Sequence, residues 1–191
     1  MAGRGHEVRP PKGRGEPVLY MDVDGVLHHE NCLWHPRRGA YLHAPERYVL
    51  FQHAALLEEL LAPHPQVRIV LSTSWVRRYG CAGTAKRLTG GLRARVIGAT
   101  YHSSMSRDGF ALLPRGQQVT DDVLRRRPGS WLALDDDPEG WPDWAAPHFL
   151  QTDPYEGISP PHLQDELRRR LALLANLLPP SELPPANTPR K

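Results

Sequence analysis

The chain has 191 residues, 40% of them apolar, with 24 Lys and Arg against 21 Asp and Glu, for a formal net charge of +3. That is enough apolar material for one core, and no segment approaches the roughly 18 consecutive apolar residues of a membrane span. Cys32 and Cys81 are too few for a disulfide framework, and the basic, polar start MAGRGHEVRPPKGRGEP lacks the apolar centre of a secretory signal. A cytoplasmic protein without membrane contact is expected.

Residues 1–16, rich in Gly, Pro and Arg, read as a flexible basic arm, and 179–191 as a disordered Pro-rich tail. One ordered domain, 17–178, is expected between them. Its first strand is Val18–Asp22. Phe51, Ala54, Ala55, Leu57, Leu60 and Leu61 fall at helical spacing before Pro63. Val67–Leu71 is a second strand, a weaker helical stretch covers about 77–89, and Arg95–Ile97 is a third strand. Gln117–Arg126 predicts a helix stopped by Pro128-Gly129. Trp131–Leu134 and Pro147–Gln151 are the fourth and fifth strands. Leu163, Leu167, Leu171, Leu174 and Leu178 then mark one stripe of a long helix. The arginine runs Arg125–Arg127 and Arg168–Arg170 read as solvated helix faces. Alternating strands and helices predict an α/β sandwich of three layers around a mainly parallel sheet.

In such sheets ligands bind beyond the carboxyl ends of the strands, where strand order reverses. The first strand runs into Asp22 and Asp24, with Gly25 behind them. Side chains alternate along a strand, so the two carboxylates start on one face about 7 Å apart, where they repel unless a cation or shared proton intervenes. The second strand ends in Ser72-Thr73-Ser74-Trp75, and the fourth in Asp135-Asp136-Asp137-Pro138. One of the last three acids suits a helix cap, but two acidic strand ends facing one crevice are costly without a cation. Oxygen donors without Cys or His favour Mg²⁺.

VLYMDVDGVL, VRIVLST and WLALDDD, in this order and spacing, resemble the motifs of the haloacid dehalogenase (HAD) superfamily of phosphohydrolases. Within it, DVDGVL, LSTSW, LDDDP and TDPYEGIS resemble the HAD domain associated with Swiss Army Knife RNA repair proteins, over about 20–160. The resemblance implies a Rossmann-like fold with a minimal cap, residues 28–50 occupying the cap position. It implies Asp22 as nucleophile through an aspartyl-phosphate and Asp24 as general acid and base. It implies Mg²⁺ held by Asp22, the Asp24 main-chain carbonyl, and Asp135 or Asp136. Thr73 or Ser72 would bind the phosphoryl group, with Arg115, or else Lys86, supplying the cation of the third motif. The group usually carries Arg directly after the motif's Trp, whereas here Val76 intervenes before Arg77.

The 28–50 segment is too short for a helical cap domain and predicts a hairpin or loop. An open site suits a bulky phosphorylated substrate, such as a nucleotide or nucleic-acid end. Trp34, Tyr41 and Tyr48 could stack on a base, although such residues more often pack a loop onto its domain. His28, His29, Cys32 and His35 match no standard zinc spacing. Trp75, Trp131, Trp141 and Trp144 read as core or core-edge residues. Two alternatives stay open: a binding module with the same fold but little turnover, and a glycosyltransferase using Asp-x-Asp to hold a metal. The second needs neither the hydroxyl strand end nor the second acidic cluster.

Overall fold

The computed structural model describes residues 11–176, so the expected tail, residues 177–178 of the expected domain and most of the expected arm lie outside the described residues. Residues 11–16 do not form a free arm. They make turns tied to the far side of the domain, with Gly15 N–H donating to Arg127 O at 3.0 Å and Gly129 N–H to Glu16 O at 3.0 Å.

Five parallel strands form the sheet, in the spatial order β5-β4-β1-β6-β7. They are β1 (Pro17–Met21), β4 (Arg68–Leu71), β5 (Val96–Ala99), β6 (Ser130–Asp135) and β7 (Phe149–Gln151). The chain moves outward from β1 through β4 to β5, then returns to the other side of β1 as β6. Strand order therefore reverses beside β1, where a crevice opens. All residues of β1 after Pro17 are buried. Leu19 and Met21 face one core with Leu57, Leu61, Leu167 and Leu171. Val18 and Tyr20 face a second core with Val119 and Val123.

Helices α1 (Ala54–Leu61), α3 (Gly90–Arg95) and α6 (Pro161–Asn176) cover the first face, and α5 (Arg115–Arg126) the second. Helix α2 (Trp75–Ala85) follows β4, and a short α4 (Arg107–Ala111) precedes α5. In α6, Leu167, Leu171 and Leu174 are buried as their stripe predicts.

Several elements depart from their expected bounds for local reasons. Helix α2 begins at Trp75 and is broken at Gly80 (φ 70°, ψ 165°), which erodes its helical period. Phe51 stands before α1 with φ 61°, so its apolar spacing overstates that helix. Arg95 ends α3 rather than opening a strand, and its guanidinium donates to the carbonyls of Leu61, His64 and Val67.

The run Arg125–Arg127 is not a uniformly solvated face. Arg126 is buried and donates from Nε to Asp122 Oδ2 at 2.7 Å, while Tyr20 donates its hydroxyl to the same oxygen at 2.9 Å. Arg168 and Arg169, by contrast, lie exposed along α6 and pair with Asp165 and Glu166 one turn back, whereas Arg170 is half-buried, pairs with Glu166 and donates to the carbonyls of Pro147 and Phe149.

The 28–50 segment forms an antiparallel hairpin, β2 (Cys32–His35) and β3 (Gly39–Leu42). It is pinned at its base by Glu30 N–H donating to Pro154 O at 2.7 Å and by Tyr48 donating to Glu156 Oε1 at 2.6 Å. Tyr48 is buried there, and His29 sits between the rings of Tyr48 and Tyr155, at 4.8 and 4.9 Å. Trp75 and Trp131 are buried as expected, but Trp144 is 39% exposed. No helix among the described residues is long and apolar enough to cross a membrane.

Candidate active site

Register alone brings three strand ends together. Met21 pairs with Leu71 of β4 and with Leu134 of β6, so Asp22, Ser72 and Asp135 come next at one level across three neighbouring strands. Asp22 N–H donates to Leu134 O at 3.0 Å and Ser72 N–H to Met21 O at 2.8 Å, which fixes that level. Asp22 continues the alternation of Val18 and Tyr20, and so projects toward the face that α5 covers.

Arg115, at the start of α5, reaches back into the crevice. Its Nη2 donates to Asp22 Oδ2 at 2.9 Å, and its Nε stands 3.1 Å from Asp135 Oδ2. The second contact is an ion pair without hydrogen-bond alignment, so both of those buried atoms lack a hydrogen-bond partner. Carboxylate oxygens of Asp22, Asp135 and Asp136 lie within 4.8 Å of one another. Asp22 Oδ1 also accepts from Val23 N–H at 2.6 Å, and Asp135 Oδ1 from Asp137 N–H at 3.2 Å. Gly25 makes room for this cluster. Its φ is +65°, and a Cβ there would fall 2.2–2.5 Å from the Asp136 carboxylate.

Such crowding perturbs ionisation. Burial pushes the Asp22 carboxyl from its ordinary 3.8 up to about 6; Arg115 opposes the rise and Asp24 adds to it. Burial and the Asp22 charge push Asp136 up to about 7 and raise Asp135 well above its ordinary value. Burial would lower the pKa of Arg115, but Asp22, Asp135, Asp137 and Asp136 together raise it. One guanidinium faces three carboxylates, so the cluster carries excess negative charge. A hard divalent cation fits it: the donors are all carboxylate oxygens, and Asp135 Oδ2 is buried without a hydrogen bond.

The Asp24 side chain takes no part in that cluster. Phe51 N–H donates to His28 Nδ1 at 3.1 Å, which leaves the ring proton on Nε2. His28 Nε2 therefore donates to Asp24 Oδ1 at 3.1 Å, and Trp75 Nε1 donates to the same oxygen at 2.9 Å. His28 is fully buried, edge-on to Phe51 and Trp75 with ring centroids 5.2 and 5.9 Å away. Asp24, His28 and Cys32 also come within metal-ligating distance of one another. Their chemistry fits a metal poorly, because His28 Nε2 carries its proton and the Cys32 thiol is pushed up to about 12 by burial and by Asp24. His29 and His35 accept from the main chain of Asn31 and Arg37, apart from that group.

The two hydroxyl candidates are placed differently. Thr73 lines a cleft together with Arg115, Gln118 and Asp137, and its hydroxyl counters the rise in the Asp22 pKa. Ser72 is buried, with its Oγ unpartnered. Arg115 sits at the acidic cluster, whereas Lys86 is exposed at the opposite end of α2 from Thr73. Sequence reasoning missed His28 and Trp75 as partners of Asp24. The spacing of His28, four residues after Asp24, was the available signal; Trp75 and Phe51 are distant in sequence and gave none.

A five-stranded parallel sheet with the order found here, its central strand ending in Asp-x-Asp beside a hydroxyl strand end and a second acidic strand end, defines a protein of the HAD superfamily. Within that class, residues 18–163 match the family described as the HAD domain in Swiss Army Knife RNA repair proteins, and the chain belongs to this family. No curated protein and no solved structure matches the chain. Membership points to hydrolase chemistry of the phosphohydrolase type, in a superfamily that typically uses a divalent metal.

Proposed function

We propose that the protein is a Mg²⁺-dependent phosphomonoester hydrolase working through an aspartyl-phosphate on Asp22. The observation that carries this reading is the setting of Asp22: buried, held by Arg115 at 2.9 Å, and sharing a metal-compatible cluster with Asp135 and Asp136. A phosphate monoester repels an anionic nucleophile, so positive charge and positioning do most of the catalytic work. The carboxylates of Asp22, Asp135 and Asp136, with the Asp24 main-chain carbonyl, are the proposed Mg²⁺ ligands. Bound there, the ion supplies positive charge against the phosphoryl oxygens.

Arg115 aligns Asp22 and balances the transferring group, with Thr73 as hydroxyl donor in preference to Ser72, and Arg115 rather than Lys86 as the cation. Asp22 Oδ attacks phosphorus as the bond from phosphorus to the leaving oxygen breaks. Asp24 gives that oxygen its proton. Asp24 then takes a proton from water as the water oxygen bonds to phosphorus, the bond to Asp22 breaks, and inorganic phosphate leaves. His28 and Trp75 hold Asp24 Oδ1, which fixes the orientation of the carboxylate for both transfers. The hairpin leaves the site open enough for a nucleotide or a nucleic-acid end.

The test is phosphate release with and without Mg²⁺ from p-nitrophenyl phosphate, nucleotides and phosphorylated oligonucleotides. The native chain turns over at least one of them, and Asp22→Asn turns over none while remaining folded. A fully active Asp22→Asn protein overturns the reading.

A further inference from the structure

Asp24 lines two clefts. One lies over the acidic cluster and is lined also by Asp22, Arg115 and Asp136. The other, of about 220 Å³, lies between the β2–β3 hairpin and the start of α2. The second cleft is cationic. Arg77, Arg78 and Arg107 all line it, and Asp24 is the one carboxylate on its wall. None of the three arginines makes an ion pair among the described residues. Asp24, whose Oδ1 accepts from His28 and Trp75 and whose Oδ2 lies 3.4 Å from Ser74 Oγ, offsets at most one of the three positive charges.

The Arg78 guanidinium lies over the Trp34 ring, 3.8 Å from its centroid, so the hairpin helps hold this charge in place. Unpaired guanidiniums converging on a concave wall repel one another and attract a polyvalent anion, and their planar forks suit phosphate.

The position of the cleft gives that charge a meaning. In the proposed reaction the transferring phosphoryl group sits against Asp22 and Arg115, and Asp24 protonates the oxygen that departs. The departing group therefore lies beyond Asp24, on the side of the hairpin. We propose that the hairpin–α2 cleft is the leaving-group subsite and that it takes an alcohol carrying a second phosphate, so that the preferred substrates are bisphosphorylated. This inference rests on the phosphomonoesterase reading.

Two matched pairs test it with the full chain and Mg²⁺: adenosine 3′,5′-bisphosphate against adenosine 5′-monophosphate, and fructose 1,6-bisphosphate against fructose 6-phosphate. The pairs separate a nucleotide source of the second phosphate from a sugar source. In at least one pair kcat/KM favours the bisphosphate by about tenfold or more, in line with charge-assisted contacts to one extra phosphate. In the double variant Arg78→Gln, Arg107→Gln that preference falls to within about twofold, through KM rather than kcat, and Arg78→Lys restores part of it.

Equal use of both members in both pairs overturns the proposal, as does a preference that survives in the double variant. Calorimetric binding to Asp22→Asn chains separates this failure from failure of the parent reading. If no ester is turned over but bisphosphates still bind more tightly and lose that advantage in the double variant, the hydrolase reading falls and takes the leaving-group role with it, and the cleft stands only as a phosphate-binding site. If esters are turned over without bisphosphate preference, the subsite falls alone. If neither turnover nor preferential binding occurs, both fall.

Discussion

Replacing Asp22 by Asn should stabilise the metal-free fold while abolishing turnover. The two side chains are nearly equal in volume, so packing is kept and charge is the main change. Asp22 is buried and its carboxyl titrates near 6 rather than at its ordinary 3.8, chiefly because burial disfavours its charged form. A carboxyl whose folded pKa is raised contributes stability that is fully present below the unfolded value. That contribution is lost as pH rises through the folded value. A rise from 3.8 to about 6 corresponds to about 3 kcal/mol.

In EDTA at pH 8, Asp22→Asn should therefore exceed the native chain by up to about 3 kcal/mol, or roughly 6–12 °C in Tm for a domain of this size. At pH 3.5 the native carboxyl is largely protonated and the gap should nearly close. Adding Mg²⁺ at pH 8 should narrow the gap by stabilising the native cluster more. Thermal and urea denaturation at the two pH values measure this. An Asn variant less stable at pH 8, or a gap independent of pH, would refute the assignment of a repulsive acidic cluster around Asp22.

Other outcomes follow from separate parts of the fold. Arg126→Met removes the buried cation paired with Asp122, leaving the partly exposed Arg125 and the Tyr20 hydroxyl as its partners, and should destabilise by about 1–3 kcal/mol, read from urea denaturation. Gly25→Ala must adopt a left-handed conformation, costing about 1–2 kcal/mol. Its methyl group would also displace the Asp136 carboxylate, so Mg²⁺ affinity by calorimetry should fall by more than about tenfold. His28→Phe removes one donor from Asp24 Oδ1 and keeps an aromatic ring against Phe51 and Trp75. Turnover of alkyl phosphates, whose leaving oxygen needs a proton, should drop by about tenfold or more, and that of p-nitrophenyl phosphate much less. Equal losses on both substrates would reduce His28 to a packing residue.

Asp22, Ser72, Thr73 and Asp135 were legible as site candidates because each ends an apolar strand or follows it within two residues, and parallel strands present those ends on one edge. Arg115 was singled out through the resemblance, whose third motif is a cation near the start of the helix leading into the fourth strand, and that position favoured it over Lys86. The fold sets Arg115 against Asp22 and leaves Lys86 exposed at the far end of α2. Phe51 was misleading: its apolar character suited a helix, yet it stands at φ 61° and gives its N–H to His28. Arg126 belonged to an apparently solvated run until α5 turned it toward Asp122 and Tyr20.

By itself the sequence determined the alternation of strands and helices, the family, and the acids and hydroxyls at the strand ends. The alternation and the strand-end residues follow from spacing over a few residues, because side-chain direction repeats with each element's own period, and the family follows from the resemblance of the motifs. Tertiary structure decided which oxygens meet. It placed Arg115 against Asp22, gathered Asp135 and Asp136 there, and turned the Asp24 carboxylate away to His28 and Trp75. It also placed Arg77 and Arg78 of α2, Arg107 of α4 and the hairpin around one cleft. Those contacts join residues far apart in the chain, and only the register of three parallel strands and the packing of a helix on each side fix their distances.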